Sequence, residues 1–436
     1  MEKPPNVTGS KNDISLSVEM QMTGEMKLIQ DEYLYWDKLK YKTSHESKVE
    51  VWSAVKFHRR ITSKRIQFGK NPAYTFTYPN TDFLQRSLHL FDMHTGGTLT
   101  SNIGIAETDK SKFMISSIIE ESISSSQMEG ASTTIKKAKE MIQYEKKPLT
   151  KSEQMIMNNY VTMNHIVQIK NEDLTVEKLL EIHRLISNNT LDNAEEEGKF
   201  RTNDDIFVAN VIKGDIVHQP PPHEELSQLL DDLIIFFNND SKDFIHPVVK
   251  GCIIHFMIGW IHPFTDGNGR TARALFYWYM LKNGYWLTEY LSISRIIKDT
   301  KNQYEKAYQH TEIDDNDLGY FITYHVKTMI KAYNALKAYI HKKQTEVIQA
   351  AKFLKIEGVN ERMAQLIKII HEDGDRVFTS KEVQNRFGVS NFTARMDLKA
   401  LVSLGFMQEI KVNLKKINYI RSENFDKRIK QINKSK

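Results

Sequence analysis

The stretch His262-Pro263-Phe264-Thr265-Asp266-Gly267-Asn268-Gly269-Arg270-Thr271-Ala272-Arg273 packs one titratable ring, one carboxylate, two glycines around an asparagine and two arginines into twelve residues. Gly267 and Gly269 can turn consecutive N–H groups toward one point, forming an anion-binding nest. The apolar residues that follow (Ala272, Leu275, Phe276, Tyr279, Met280) read as a helix, so the nest sits at a positive helix N-terminus. Arg270 and Arg273, three apart, share a face of that helix and reach along the same polyphosphate. Asp266 is a hard oxygen ligand of the kind Mg²⁺ takes together with phosphate oxygens. His262 is the side chain suited to accept a hydroxyl proton near neutral pH. A Gly-Asn-Gly segment alone is usually a turn, and an arginine pair alone is usually a solvated face. The constellation in this order reads as a phosphate-transfer loop with its own base.

The stretch also resembles, without a mismatch, the HPFxDGNGRxxR signature of Fic-domain proteins. That resemblance implies transfer of AMP from ATP, with Mg²⁺, to a hydroxyl side chain of a target protein. It makes His262 the base and Asp266 the metal ligand. It assigns the nucleotide phosphates to Gly267, Asn268, Gly269, Arg270, Thr271 and Arg273.

With 436 residues the chain exceeds one ordinary core, so two or three domains are expected. Hydrophobic and charged shares of 40% and 26% are those of a soluble globular protein. One cysteine, Cys252, leaves no internal disulfide to form, and its apolar surroundings point to packing. The N-terminus lacks a signal-peptide pattern, and the apolar run Cys252 to Ile261 is too short for a bilayer. A cytoplasmic location without membrane attachment follows as the expectation. Residues 361–436 carry 16 Lys/Arg against 9 Asp/Glu, although the whole chain is only +5. An anionic partner is therefore expected at the C-terminal end.

Residues 1–28 read as a polar, mobile arm. Helical pattern follows from Tyr33 to Ser63, then a β-prone piece at 74–79 and a helix capped by Thr81. A further helix over 111–129 ends in Ser125-Ser126-Gln127-Met128-Glu129-Gly130. Gly130 suits the position after a helix, whereas an acid at 129 opposes the helix dipole. Beside the loop above, Ser125, Glu129 and Gly130 resemble the (Ser/Thr)-x-x-x-Glu-(Gly/Asn) inhibitory motif of Fic proteins. The resemblance implies that Glu129 pairs with Arg273 and blocks the productive place of the γ-phosphate.

Two capped helices are read over 151–189, then two β-prone runs, Ile206–Ile212 and Ile216–His218, across a glycine turn. The resemblance makes this hairpin the flap that receives the target segment, with Phe207, Val208 and Ala209 on its nucleotide side. It also places adenosine contacts at Gln303, Tyr304 and Thr311. The helix Pro247–Trp260 delivers His262, and His255 within it reads as a packed core histidine. No zinc-ligand spacing occurs.

After Gly358 the pattern becomes helix, helix-turn-helix, then a hairpin from Phe406 to Ile420 with Lys411, Lys415 and Lys416. This resembles a winged helix whose third helix exposes Thr393, Arg395, Asp397 and Lys399, with a basic tail of Arg421, Lys427, Arg428 and Lys430. Its partner is either DNA or protein. The expected architecture is thus mainly α: an N-terminal helical region (1–108), an inhibitory helix segment (109–135), a Fic-type helical core with a small β-hairpin flap (136–345), a linker (346–359) and a winged helix-turn-helix domain with basic tail (360–436). The expected activity is that of an autoinhibited protein adenylyltransferase. Two alternatives stay open, AMP removal at the same site and a DNA-binding regulator that modifies itself or a partner. A homodimer is also left open.

Overall fold

The structure, a computed structural model, describes residues 1–7, 11–95, 107–144, 146–209, 214, 216–239, 243–285, 288, 291–411 and 417–434. It divides into two compact units, Met1–Leu336 and Lys337–Lys436.

The first unit is helical with two small hairpins. It runs α1 (Lys11–Thr23), α2 (Glu25–Glu32), α3 (Trp36–Lys42), α4 (Lys48–Thr62), β1 (Lys64–Phe68), β2 (Tyr74–Tyr78), α5 (Asp82–His94), α6 (Glu107–Met128), α7 (Ile135–Gln143), α8 (Lys151–Ile169), α9 (Val176–Ser187), β3 (Val208–Ala209), β4 (Ile216–His218), α10 (Leu226–Asn238), α11 (Pro247–Ile261), α12 (Asn268–Lys282), α13 (Ile293–Asp299), α14 (Lys301–Ile313) and α15 (Gly319–Ala351). Both hairpins are antiparallel, β1 with β2 and β3 with β4. Every residue of α11 except Pro247 and Gly259 is buried, so this helix is apolar all round because it lies at the centre of the core. It packs along α12, with α10 and α8 around the pair. Thr150 and Thr175 cap α8 and α9 by accepting from the N–H groups of Glu153 and Lys178.

The N-terminal segment departs from the expected mobile arm. Met20, Met26 and Ile29 of α1 and α2 are buried with Val51, Trp52 and Val55 of α4. Glu2 accepts from Trp36 Nε1 at 2.9 Å and pairs with Lys40 at 2.6 Å. A few isolated methionines carry this burial, which is why the run looked unpatterned. Buried Arg59 joins the cap to the core. It donates to the Leu34 carbonyl (2.9 Å) and Tyr320 hydroxyl (2.5 Å), while Tyr33 donates to Asp317 (2.8 Å). A buried cation is tolerated only with such partners.

The second unit holds the end of α15, then α16 (Glu361–Glu372), α17 (Ser380–Phe387), α18 (Asn391–Ser403), β5 (Met407–Lys411), β6 (Ile417–Arg421) and α19 (Phe425–Lys434). Residues 346–351 of the expected linker continue α15, and Lys352–Lys355 form a 3-10 turn. Gly388 ends α17, Ser390 caps α18, and a single antiparallel bridge joins Phe378 to Tyr419 of β6. Two expectations are corrected here. Asp397 is buried, held by Arg362 (2.6 Å) and Asn360 (2.8 Å), so it leaves the exposed face of α18. The basic tail is not a tail, because Arg421 closes β6 and Lys427, Arg428 and Lys430 lie on α19, anchored by buried Phe425. Lys415 and Lys416 lie outside the described residues. Among the described residues no helix is long and apolar enough to cross a membrane.

Candidate active site

The site is built where the end of α11 turns into the start of α12. His262 closes α11 in the left-handed region (φ 50°), its N–H bonded to the Ile258 carbonyl at 3.0 Å. Its Nδ1–H donates to the Gly259 carbonyl at 3.1 Å, so Nε2 keeps the lone pair. Burial pulls the ring's pKa down to about 4, with nearby His218 acting the same way and the Gly259 bond opposing. His262 is therefore neutral, a proton acceptor, at physiological pH.

The loop between the helices is braced from within and below. Asn268 accepts from the Phe264 N–H (3.0 Å) and donates to the Phe264 carbonyl (2.7 Å). Its side chain thus shapes the loop, and its backbone joins the N-terminal turn of α12. Gly267 sits at φ 85°, a conformation a side chain would strain. The amides of Asn268, Gly269 and Arg270 open α12 with no carbonyl ahead of them in the helix. His183 of α9, unremarked in the sequence, accepts from Gly198 N–H at Nδ1 (3.0 Å), donates from Nε2 to the Asp266 carbonyl (2.9 Å) and stacks on Phe264 at 3.7 Å. Arg201 was also missed. It donates to the carbonyls of His262 (3.0 Å, side chain) and Pro263 (2.9 Å, backbone), and to that of Pro221. Neither belongs to a motif; both are single polar residues in ordinary patterns, so no local signal marks them.

The arginines and Glu129 form one cluster. Arg273 is buried and donates from Nε to Ser125 Oγ (2.8 Å) and from Nη2 to the Ser125 carbonyl (3.1 Å) and Glu129 Oε1 (2.9 Å). The Glu129 carboxylate also lies over Gly269, where a β-carbon would collide with Oε1 and come within 3.2 Å of Arg273 Nη1. Burial raises the Glu129 carboxyl's pKa, but Arg273, then Arg270 and Lys301, outweigh it and hold it below the ordinary value. Gly130 follows at φ 92°, so the turn after α6 aims Glu129 at the nest. Arg270, also buried, donates to the Ile186 carbonyl (3.1 Å) and faces Asp266 at 3.6 Å. Among the described residues, Arg270 Nε and Nη2, Arg273 Nη1 and Thr271 Oγ1 are buried without a hydrogen-bond acceptor. Buried donors of this kind ask for an anion. Asp266 is more than half exposed beside them, a single carboxylate that accepts from the Gly267 N–H (2.5 Å) and is of the sort that completes a metal shell with phosphate oxygens. Among the described residues no group of three or more acids, histidines or cysteines forms a metal cage.

A model described as the Fic/DOC family matches residues 173–280, which hold this loop. The chain carries a Fic/DOC family domain. Distant relatives of the Fic domain are named protein adenylyltransferases. Those of Nematostella vectensis and Caenorhabditis elegans are each 30% identical over 116 residues, 27% of this chain and 25% and 21% of theirs. That of Aedes aegypti is 33% identical over 116 residues, 27% of this chain and 21% of its own. The match thus spans about a quarter of these relatives' length. A Fic family protein of Desulfovibrio desulfuricans G20 superposes with a TM-score of 0.49 at 19% identity, over 78% of this chain and 95% of its own. Fic-1 (aa134 - 508) of C. elegans superposes at 0.48 and 18%, over 76% and 88%.

The remaining expected residues fall in three places. Phe207 is 51% exposed, and Val208 and Ala209 of β3 are half-buried opposite β4; residues 210–213 and 215 of the hairpin lie outside the described residues. Tyr304 is half-buried and shares a 2.9 Å hydrogen bond with His255 Nε2, while Gln303 is exposed on the same helix. Thr311 is completely buried with its hydroxyl donated to the Ala307 carbonyl. His255 is a core histidine, bonded to His325 at 2.9 Å.

Proposed function

We propose that this chain is an autoinhibited protein adenylyltransferase that moves AMP from ATP to a Ser, Thr or Tyr hydroxyl of a target protein. The observation that carries this reading is Glu129, a carboxylate lying over Gly269 and paired with Arg273, beside buried donors of Arg270, Thr271 and Arg273 that lack acceptors. A site of fixed donors filled by the chain's own anion is one that takes a foreign anion when the plug leaves.

In this account the helix N-terminus, Arg270 and Arg273 hold the phosphates. Asp266 would hold Mg²⁺, which neutralises phosphate charge and orients the leaving group. The target hydroxyl attacks the α-phosphate, the bond to the β-phosphate breaks, and pyrophosphate leaves toward the arginines. His262 Nε2 takes the hydroxyl proton as the new bond forms. The direct test is a pair of labels: with Glu129→Gly and Mg²⁺, the α-phosphate of ATP should enter protein and the γ-phosphate should not. Transfer of the γ-label would make the chain a kinase and overturn the reading.

We further infer that the second unit is a winged helix that meets an anionic partner through α18. Removal of Asp397 from its outer face supports this, since Arg395 and Lys399 are exposed there beside Phe392 (74%) and Met396 (52%). Arginine and lysine on one face of a second helix-turn-helix element suit duplex DNA. Mixed-sequence DNA should be shifted by the full chain at low salt and released by added salt. If no shift occurs and Phe392→Ala instead changes self-association, the face belongs to protein contact.

A further inference from the structure

Among the described residues, the β3–β4 hairpin pairs at two positions, Val208 with His218 and Ala209 with Ile216, with a register shift between them. Isolated two-stranded hairpins are marginal in water even when longer. Along β4, Ile216 is exposed, Val217 intermediate and only His218 buried, and neither residue of β3 is buried. Among the described residues of the two strands, the one buried side chain is therefore His218, at 8% exposure.

The ring of His218 meets two acceptors. Nε2 lies 2.8 Å from the Trp260 carbonyl, two residues before His262, and Nδ1 lies 2.7 Å from Glu312 Oε2 on α14. The ring thus ties β4 to the end of α11 and to α14 at once. The His218 and His262 rings stand 6.4 Å apart.

We propose that His218 is a positioning residue: clamped between Glu312 and the Trp260 carbonyl, it pins the β3–β4 hairpin to the helix end that carries His262. Strand β3 then presents its edge at a fixed distance from the base. This rests on the reading above, in which a target segment is received at that hairpin and His262 accepts its proton.

The experiment uses the full chain and separates the clamp from the chemistry. Amide hydrogen exchange is followed at Val208, Ala209, Ile216 and Val217 in wild type, His218→Phe, His218→Ala and Glu312→Gln. Losing both bonds should speed exchange at these four amides about ten-fold in either His218 variant, with α11 and α12 unchanged. Glu312→Gln should stay near wild type, because the Gln side chain can still bond Nδ1 while Nε2 bonds the Trp260 carbonyl. Unchanged exchange in His218→Phe overturns the clamp. In a Glu129→Gly background, His218→Phe should slow entry of α-labelled AMP into protein at unaltered ATP affinity, and Glu312→Gln should not. A loosened hairpin with an undiminished labelling rate overturns the positioning role. If Glu129→Gly itself incorporates no label, the transfer reading fails, and the exchange rates still decide the clamp.

Discussion

Glu129 lies so close over Gly269 that a β-carbon on that glycine would collide with its Oε1, although 140 positions of sequence separate the two. The glycine serves the nest in two ways, by leaving the amides open and by admitting the carboxylate that covers them. Truncating that carboxylate uncovers Arg273 Nη2 and the first turn of α12. Glu129→Gly should therefore bind ATP with Mg²⁺ about ten-fold or more tighter, since a charge-assisted hydrogen bond is worth about 1.5–3 kcal/mol. Titration calorimetry of wild type against the variant checks this; equal affinities would mean the plug does not compete.

Glu121 predicts a second way to release the plug. It is fully inside the protein on α6, accepting from the Ser294 N–H (3.0 Å) and Ser292 Oγ (3.2 Å), and from Ser294 Oγ. Burial raises its carboxyl's pKa against those hydrogen bonds. It docks α6 onto the start of α13, two turns before Glu129. Glu121→Ala should raise labelling above wild type but below Glu129→Gly, and should cost about 1–3 kcal/mol of stability. Glu121→Gln, which still accepts from Ser294, should do neither. Thermal melts run beside the labelling assay separate the two effects.

How much of this was legible in the sequence follows a physical line. The loop from His262 to Arg273 was readable because its residues are contiguous and a nest needs them so. The strong helices were readable by period and cap, as in the two capped helices over 151–189, where Thr150 and Thr175 cap α8 and α9. Glu129 was readable only beside the loop it covers. His183, Arg201, Glu121 and His218 were not, since each acts across the fold on backbone far away in sequence, and no spacing encodes that. The N-terminal helices were misread because Met20, Met26 and Ile29 bury what a polar count treats as an arm. Asp397 was misread because helical spacing alone could not show that Arg362 and Asn360 draw it inward.

Buried histidines give the pH dependence of stability its sign. Burial holds His183 and His262 down at about 4 and His325 at about 3, all below the ordinary 6.5. The unfolded chain therefore binds more protons than the folded one between these values. The stability is fully present above about 6.5 and is lost as pH falls toward 4. Urea midpoints should decline steadily from pH 7 to pH 4.5, and His183→Gln should flatten part of that decline. A midpoint that holds level across the window would mean these rings are charged in the fold.

In the proposed reaction the His262 ring sets the acid limb of the pH profile. With His262 neutral far below the ordinary histidine range, kcat/KM for labelling by Glu129→Gly should not fall near pH 6.5 but well below it. An acid limb centred on pH 6.5 would contradict the buried, desolvated geometry of the base.

The most direct measurement mixes the protein with Mg²⁺ and ATP labelled at the α-phosphate and counts label on protein. Three chains are compared: wild type, Glu129→Gly, and Glu129→Gly with His262→Ala. The account predicts strong label in the single variant alone, with about 10²–10⁴-fold less once the base is removed. Equal label in wild type and Glu129→Gly, or full label without His262, would contradict it.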